Sequence, residues 1–264
     1  MREAFYQLPG APRLALVTDL HNKKAAPVLA SLRARRPELI AIAGDVVYGT
    51  RPVGGLSPLL AQANVLPLLR GCAELAPSYF SLGNHELFAD EEDAETIRQT
   101  GVTYLDDAWV RRGDLVIGGL SSGFVGAYRR LLAALPDQVR ASSRYPDEAD
   151  VQRVRGLKVQ DPAPNLGWLR EFAAQPGYKL LLCHHPEYYA MLPEGIDLIL
   201  SGHAHGGQIR LFGQGLFSPG QGLFPRRTRG LYDGRQLVSA GLANTTRLPR
   251  LFNPTELCYL NVEP

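Results

Sequence analysis

The chain has 264 residues, is 45% hydrophobic and carries a formal net charge of +2. That is enough apolar content for a sizeable core, and it makes no broad electrostatic case for nucleic acid or an anionic membrane, although a local basic pocket stays open. Three widely spaced cysteines, Cys72, Cys183 and Cys258, argue against a disulfide framework and fit a reducing compartment. The opening residues lack a signal-peptide pattern and no apolar run nears the ~18 residues that span a bilayer, so the expectation is a cytoplasmic protein without a transmembrane segment.

In chain order, an apolar run predicts a strand over residues 13–17, followed by a helix over 27–36 that opens with Pro27 and stops before Pro37. A second strand is expected at 39–43, then a leucine-rich helical stretch over 57–75 that Pro67 interrupts or starts. A strand at 78–82 precedes a helix over 90–101, acidic at its start and closed by a glycine. Residues 121–165 are polar and arginine-rich, with a helix expected at 128–139, and read as a lid-like insertion or as a solvated excursion. Further strands are expected at 178–182 and 197–200, followed by glycine- and proline-rich loops over 206–230. Continuous apolar runs of this length mark strands buried on both faces, and their alternation with helices implies a layered α/β fold. With no repeat and no linker, residues 1–264 form one expected domain.

All six histidines fall in clusters just after predicted strands. These are Asp19-Leu20-His21, Gly83-Asn84-His85-Glu86, His184-His185 and Gly202-His203-Ala204-His205, joined by a further carboxylate in Gly44-Asp45. Imidazole with carboxylate is a ligand set for zinc, manganese or iron. In open α/β sheets, ligands bind outside the carboxyl ends of the strands, where these distant residues would meet.

The order D-x-H, G-D, G-N-H-E, H, G-H-x-H resembles the calcineurin-like metallophosphoesterases over residues 13–208 or so. The resemblance implies an α/β/β/α sandwich of mixed sheets flanked by helices, and two divalent metal ions. Asp19, His21 and His205 would hold one metal, and Asn84, His184 and His203 the other, with Asp45 bridging. It implies hydrolysis of a diester, monoester or pyrophosphate by a metal-bridging hydroxide. His85 would serve as general acid, with Asn84 and Asp45 as its catalytic companions. Manganese is the favoured metal, and iron, zinc and nickel fit the same donors. The stretch from Ser201 to Ile209 and the run from Ser218 to Pro225 also resemble a bacterial branch. Some of that branch act on UDP-diacylglucosamine, so the substrate is expected to be a phosphorylated small molecule or a lipid-linked nucleotide. The membrane segment common at the start of that branch is not expected here. Tyr48 stands where many relatives carry an aspartate.

Two cations relieve the repulsion between an anionic phosphoester and an anionic nucleophile, and they hold the in-line geometry. Asn84 suits this chemistry because its amide oxygen can bind metal while its NH₂ faces the phosphate. A non-enzymatic metal-binding scaffold on the same fold is the alternative. An amidohydrolase is disfavoured because its HxH would come early, whereas here it comes late. Elsewhere, Glu86 reads as a hydrogen-bonding residue, Cys183 as core and Asp106-Asp107 as a turn. His185 reads as support for its neighbour. Arg226, Arg227 and Arg229 read as a solvated face or a phosphate contact, and Tyr188 and Tyr189 as pocket lining or packing. Asn244 is placed near the site by the family likeness.

Overall fold

A computed structural model describes residues 1–49, 57–134, 162–246 and 248–264. The chain runs through β1 (Arg2–Tyr6), β2 (Leu14–Val17), α1 (Ala26–Arg35), β3 (Leu39–Ala43), α2 (Pro58–Ala61), α3 (Val65–Leu75) and β4 (Ser78–Ser81). There follow α4 (Glu91–Arg98), β5 (Thr103–Leu105), β6 (Ala108–Arg112), β7 (Leu115–Leu120), α5 (Gly123–Ala134), α6 (Leu169–Ala173), β8 (Tyr178–Cys183) and β9 (Leu198–Ser201). Two short hairpins come next, β10 (Arg210–Leu211) with β11 (Gln214–Gly215) and β12 (Phe217–Ser218) with β13 (Gly222–Leu223). The last strands are β14 (Gly230–Tyr232), β15 (Gln236–Val238) and β16 (Glu256–Leu260).

The longer strands form two six-stranded mixed sheets, ordered β1-β16-β2-β3-β4-β5 and β14-β15-β9-β8-β7-β6. From β2 to β5 and from β7 through β9 to β15 the strands run parallel, with antiparallel neighbours at β16, β6 and β14. Side-chain alternation explains the layers. Leu14, Leu16, Leu39 and Ala41 meet Leu180, Leu182, Leu198 and Leu200 between the sheets. The intervening Ala15, Val17, Ile40 and Ile42 pack outward with Val28 and Leu32 of α1, Leu68 and Leu69 of α3, and Ile97 of α4. On the other side, Leu181 and Ile199 meet Leu169 and Phe172 of α6. The fold is an α/β/β/α sandwich, and the apolar runs are continuous because both faces of their strands are covered.

The 57–75 stretch breaks between α2 and α3, and Pro67 stands at the start of α3, the second of its two expected roles. Pro67 lies in the first turn of α3, where its missing N–H needs no intrahelical acceptor. One helix boundary differs from expectation: the helix expected at 128–139 begins at Gly123. Ser122 starts it by accepting the Phe124 N–H on its hydroxyl (3.3 Å) and the Val125 N–H on its carbonyl (2.9 Å). Phe124 and Tyr128 then bury against Leu87 and Phe88. The rest of that expected helix, and most of the 121–165 insertion, lie outside the described residues. Among the described residues, no helix is long and apolar enough to cross a membrane.

Candidate metal centre

The carboxyl ends of β2, β3 and β4 in one sheet and of β8 and β9 in the other deliver the expected motifs to one edge of the sandwich. There the loops bond to each other: Asp19 N–H donates to Gly44 O (3.1 Å), His21 N–H to Asp45 O (3.1 Å), and Gly202 N–H to His184 O (3.0 Å). Gly44 has φ +81°, and a Cβ on it would meet Gly83 N at 2.5 Å, so only glycine lets the two loops close on each other.

Three groups of side chains gather with their ligand atoms within 4.8 Å of one another: Asp19, His21 and His205; His21, Asp45 and His85; and Asp45, His184 and His203. Asp45 Oδ2 lies 3.7 Å from His21 Nε2, 3.8 Å from His85 Nε2 and 3.2 Å from His184 Nε2. Asp19 Oδ1 lies 3.8 Å from His21 Nε2 and 3.6 Å from His205 Nε2. Two donors each ~2.1 Å from one ion, at tetrahedral or octahedral angles, stand roughly 3.0–3.4 Å apart, so these separations are close to a ligand shell.

Hydrogen bonding sets the imidazoles for this purpose. His21 Nδ1–H donates to Val47 O (3.0 Å) and His184 Nδ1–H to Ala43 O (2.7 Å). Each Nε2 is therefore left buried without a hydrogen-bond partner, its lone pair facing carboxylate oxygen. Asn84 Oδ1 is also buried without one. A lone pair opposed to a carboxylate requires positive charge between them, and the donor set fits a metal ion.

Without a metal ion, a proton on His184 supplies that positive charge. Burial pushes the Asp45 carboxyl up, but His184, His85 and His21 outweigh this and hold it well below the usual range. Asp19 is held low in the same way, mainly by His205 and His21 against burial. Burial also works against a charge on His184, yet neighbouring Asp45 raises it to about 10. Burial lowers His205 to about 4 and His203 well below its ordinary value, so both present neutral lone pairs.

His185 is engaged otherwise. Its Nε2 pairs with Ser122 Oγ (2.8 Å) and its Nδ1 with Glu187 Oε1 (3.0 Å), although with Glu187 and His203 it forms a fourth ligand-type group. Glu86 is a clamp on the backbone. Its Oε2 accepts the N–H of Asp45 and of Gly83 at 2.8 Å, and its Oε1 accepts those of Val46 (2.8 Å) and Val47 (3.2 Å). Sequence reasoning missed Glu187 and the position of Gly241, whose absent Cβ makes room for Asp19. Asn244 is exposed and bonds to Gln208 Nε2 and to the 246–248 backbone. Arg227 lies over the Tyr189 ring (3.8 Å) and pairs with Asp233, and Arg229 pairs with Glu256 (2.9 Å). Of the three arginines, Arg226 alone is exposed.

The centre opens into a cleft of about 560 Å³ lined by Asp45, Tyr48, Asn84, His85, His203, His205, Phe124, Thr245 and the tip of the β12–β13 hairpin. A neighbouring cavity of about 650 Å³ sits over Glu187, Tyr189 and Arg227. It is the larger of the two, but the convergent donor set lies in the first.

Buried carboxylates, imidazoles and a buried, unpartnered amide oxygen at the strand ends of this sandwich mark a metal-dependent phosphoester hydrolase. Residues 12–207 match the calcineurin-like phosphoesterase family, and the chain belongs to it. The uncharacterized protein YpbG of Bacillus subtilis is 26% identical over 218 residues, covering 81% of this chain and 68% of its own length. An uncharacterized metallophosphoesterase of Campylobacter jejuni is 25% identical over 264 residues, covering 95% of this chain and 59% of its own. This chain therefore spans roughly 59–68% of the length of those relatives. A solved structure of the sulfate thiohydrolase SoxB of Thermus thermophilus, in complex with glycerol, aligns with 90% of this chain and 54% of its own at a TM-score of 0.47 and 15% identity.

Proposed function

We propose that the chain is a dinuclear phosphohydrolase that cleaves a phosphodiester, a phosphomonoester or a pyrophosphate. One observation carries the reading: Asp45 belongs to two ligand groups at once, one with His21 and His85 and one with His184 and His203. A carboxylate shared in this way suits a bridge. Asp19, His21 and His205 would hold one cation, and Asn84, His184 and His203 the second, with manganese favoured among the metals these donors accept. When bound, such ions would screen the charge on the phosphate and acidify a bound water.

The chain's own residues supply the rest. His85 is the most exposed of the six imidazoles, with 22% of its side chain open, and it lines the cleft. Its backbone N–H is tied to Asp45 Oδ1 (2.9 Å), which fixes where its ring stands. There it serves as the acid that protonates the leaving oxygen, a role worth ~10²–10⁴-fold in rate. The Asn84 NH₂ faces the phosphate. Tyr48, 56% exposed at the cleft, replaces a carboxylate with an uncharged aromatic rim and so removes a repulsive charge from the approaching anion. Residues 1–264 act as one domain. A lipid-linked nucleotide such as UDP-diacylglucosamine is the candidate substrate suggested by the stretches starting at Ser201 and Ser218.

The test is hydrolysis of bis-p-nitrophenyl phosphate and p-nitrophenyl phosphate by metal-stripped protein with and without added Mn²⁺. Turnover restored by manganese supports the reading, and the ratio of the two rates reports diester against monoester preference. Manganese bound at two sites with no turnover of these esters or of nucleoside-diphosphate conjugates would sink it.

A further inference from the structure

The cleft carries an aromatic ring beside each of the two ligand groups that share Asp45. Tyr48 stands by the first. Its ring centroid lies 6.4 Å from that of His21, edge to face, and His21 in turn lies 4.6 Å from the ring of His85. Phe124 stands by the second. Its ring stacks on His185 at 6.2 Å, and the His185 ring lies 4.1 Å from that of His203. Because His21 and His203 belong to different groups, the two rings flank the centre on two sides. Tyr48 and Phe124 both line the cleft, with Phe217, Pro219 and Thr245 as further uncharged walls.

Both rings are held in place. Tyr48 is 56% exposed, yet its backbone is pinned by one side chain: its N–H donates to Gln62 Oε1 (2.8 Å), and Gln62 Nε2 donates to its carbonyl (2.7 Å). A large ring fixed in solvent beside a metal ligand is preorganised for contact with a bound molecule. Phe124 packs with Leu87, Phe88 and Tyr128, is only 4% exposed, and still lines the cleft. Ser122 sets its distance from the centre, because the same hydroxyl accepts the Phe124 N–H (3.3 Å) and pairs with His185 Nε2 (2.8 Å).

The rings discriminate by chemistry. An aromatic ring stabilises an uncharged organic group by packing, and offers a bare phosphate oxygen no compensation for lost water. A phosphomonoester has one organic group and carries a charge of about −1.5 to −2 at neutral pH. Bound here, it would set one of the rings against charged oxygen. A phosphodiester has two organic groups and a single charge, so each ring meets a substituent.

We infer that the cleft selects phosphodiesters over phosphomonoesters, with Tyr48 against the leaving group and Phe124 against the group that stays on phosphorus. The assignment of sides follows from His85, the acid, which shares the His21 side with Tyr48. Water adds its oxygen to phosphorus, and the bond from phosphorus to the leaving oxygen breaks. That oxygen takes the His85 proton, and the proton lost by the water passes to solvent. The products are a monoester that keeps the group on the Phe124 side and a free alcohol. The inference rests on the phosphohydrolase reading and narrows it.

The test uses manganese-loaded protein and substrates that share one leaving group: bis-p-nitrophenyl phosphate, methyl p-nitrophenyl phosphate and p-nitrophenyl phosphate. Both diesters should exceed the monoester in kcat/KM by at least ~10-fold. Phe124→Leu keeps an apolar side chain and removes the ring, so it should raise KM for the bis ester by ~3–10-fold relative to the methyl ester, the span of one aromatic contact. Tyr48→Ala should raise KM for both diesters alike by a similar factor, and its exposed position keeps the test open if Phe124→Leu melts lower. Preference for the monoester, turnover confined to nucleoside-diphosphate conjugates, or diester selectivity that neither variant changes overturns this inference and leaves the phosphohydrolase reading standing. Manganese bound without turnover of any of these substrates sinks both.

Discussion

Gly241 offers the sharpest probe of how the fold holds a ligand. It has φ +75°, and a Cβ placed on it would stand 2.7 Å from Asp19 Cβ, 2.8 Å from Asp19 Oδ2 and 3.0 Å from Asp19 Cγ. Gly241→Ala therefore acts twice. A left-handed alanine costs ~1–2 kcal/mol in backbone strain. The overpacked contact, roughly 0.7 Å short of ordinary van der Waals separation, costs ~1–3 kcal/mol more. Together, ~2–5 kcal/mol is a large share of a typical stability of ~5–15 kcal/mol, so the fold is measured alongside the metal. Asp19 is the part free to give, and it gives by turning from the position it shares with His21 and His205. Disturbing a group that orients a ligand typically weakens metal binding ~10–100-fold. Titration calorimetry of metal-stripped protein with Mn²⁺ should show one weakened site, with urea denaturation reporting the fold separately. Gly126→Ala in α5, where the new methyl meets only the far end of Arg130 at 3.3 Å, is the control: it should leave metal binding unchanged and raise stability by ~0.5–1 kcal/mol. Manganese affinity and turnover at wild-type levels in Gly241→Ala would refute the argument that this glycine holds Asp19 in place.

Asp45→Asn should weaken both metal sites and lower turnover at least ~100-fold, since it touches both ligand groups; loss of a single metal in stoichiometry measurements would contradict the bridging role. His85→Ala should retain its metals while turnover falls ~10²–10⁴-fold, most with poor leaving groups; an emptied site would make His85 a ligand. His184→Ala should cost a metal whereas His185→Ala should not, because both ring nitrogens of His185 already bond to Ser122 and Glu187; the reverse pattern would mean the pair had been assigned the wrong way round. Removing metal should lower the melting temperature and raise hydrogen exchange first in the loops after β2, β3 and β9, by linkage to ligand binding; unchanged protection there would show that the loops are rigid without it.

The strands that carry the centre were legible because burial on both faces leaves an uninterrupted apolar signature. β7 was not legible, since Gly118 and Gly119 break its run. Those glycines answer to distant residues: a Cβ at Gly118 would meet Phe172 at 3.0 Å, and one at Gly119 would meet Leu105 Cβ at 2.5 Å. The site shows the same division. Its donors were readable as types in order, but their support comes from far along the chain. Nothing near His184 in sequence announces that Ser122 takes up its neighbour His185, or that Ala43 fixes its own tautomer. Glu86 was read as a hydrogen-bonding residue, yet its service to four N–H groups across two loops appears only in three dimensions. The basic run at 226–229 likewise divides by long-range partners into two anchored arginines and one exposed.

The ligand loops are built from left-handed conformations, which Asp, Asn and His adopt more readily than other non-glycine residues. Asp19, His21, Asn22, Asp45, His203 and His205 all have φ between 45° and 62°. The cost of each is at most the ~1–2 kcal/mol of a generic L-residue, and less for Asn and Asp. Such strain persists only where the surroundings over-determine it. Here the over-determination is mutual: Asn22 N–H bonds to Val46 O (2.8 Å), Glu86 gathers the 45–47 backbone, and the His203 N–H is shared by both oxygens of Asp19 (3.2 Å). Strands place the loops, but the loops hold each other's shape. A relaxed backbone would splay the donors along the sheet edge, whereas the left-handed turns converge them on shared points. The strain is therefore what makes the centre compact enough for Asp45 to serve both groups, and positive charge at those points is what completes it.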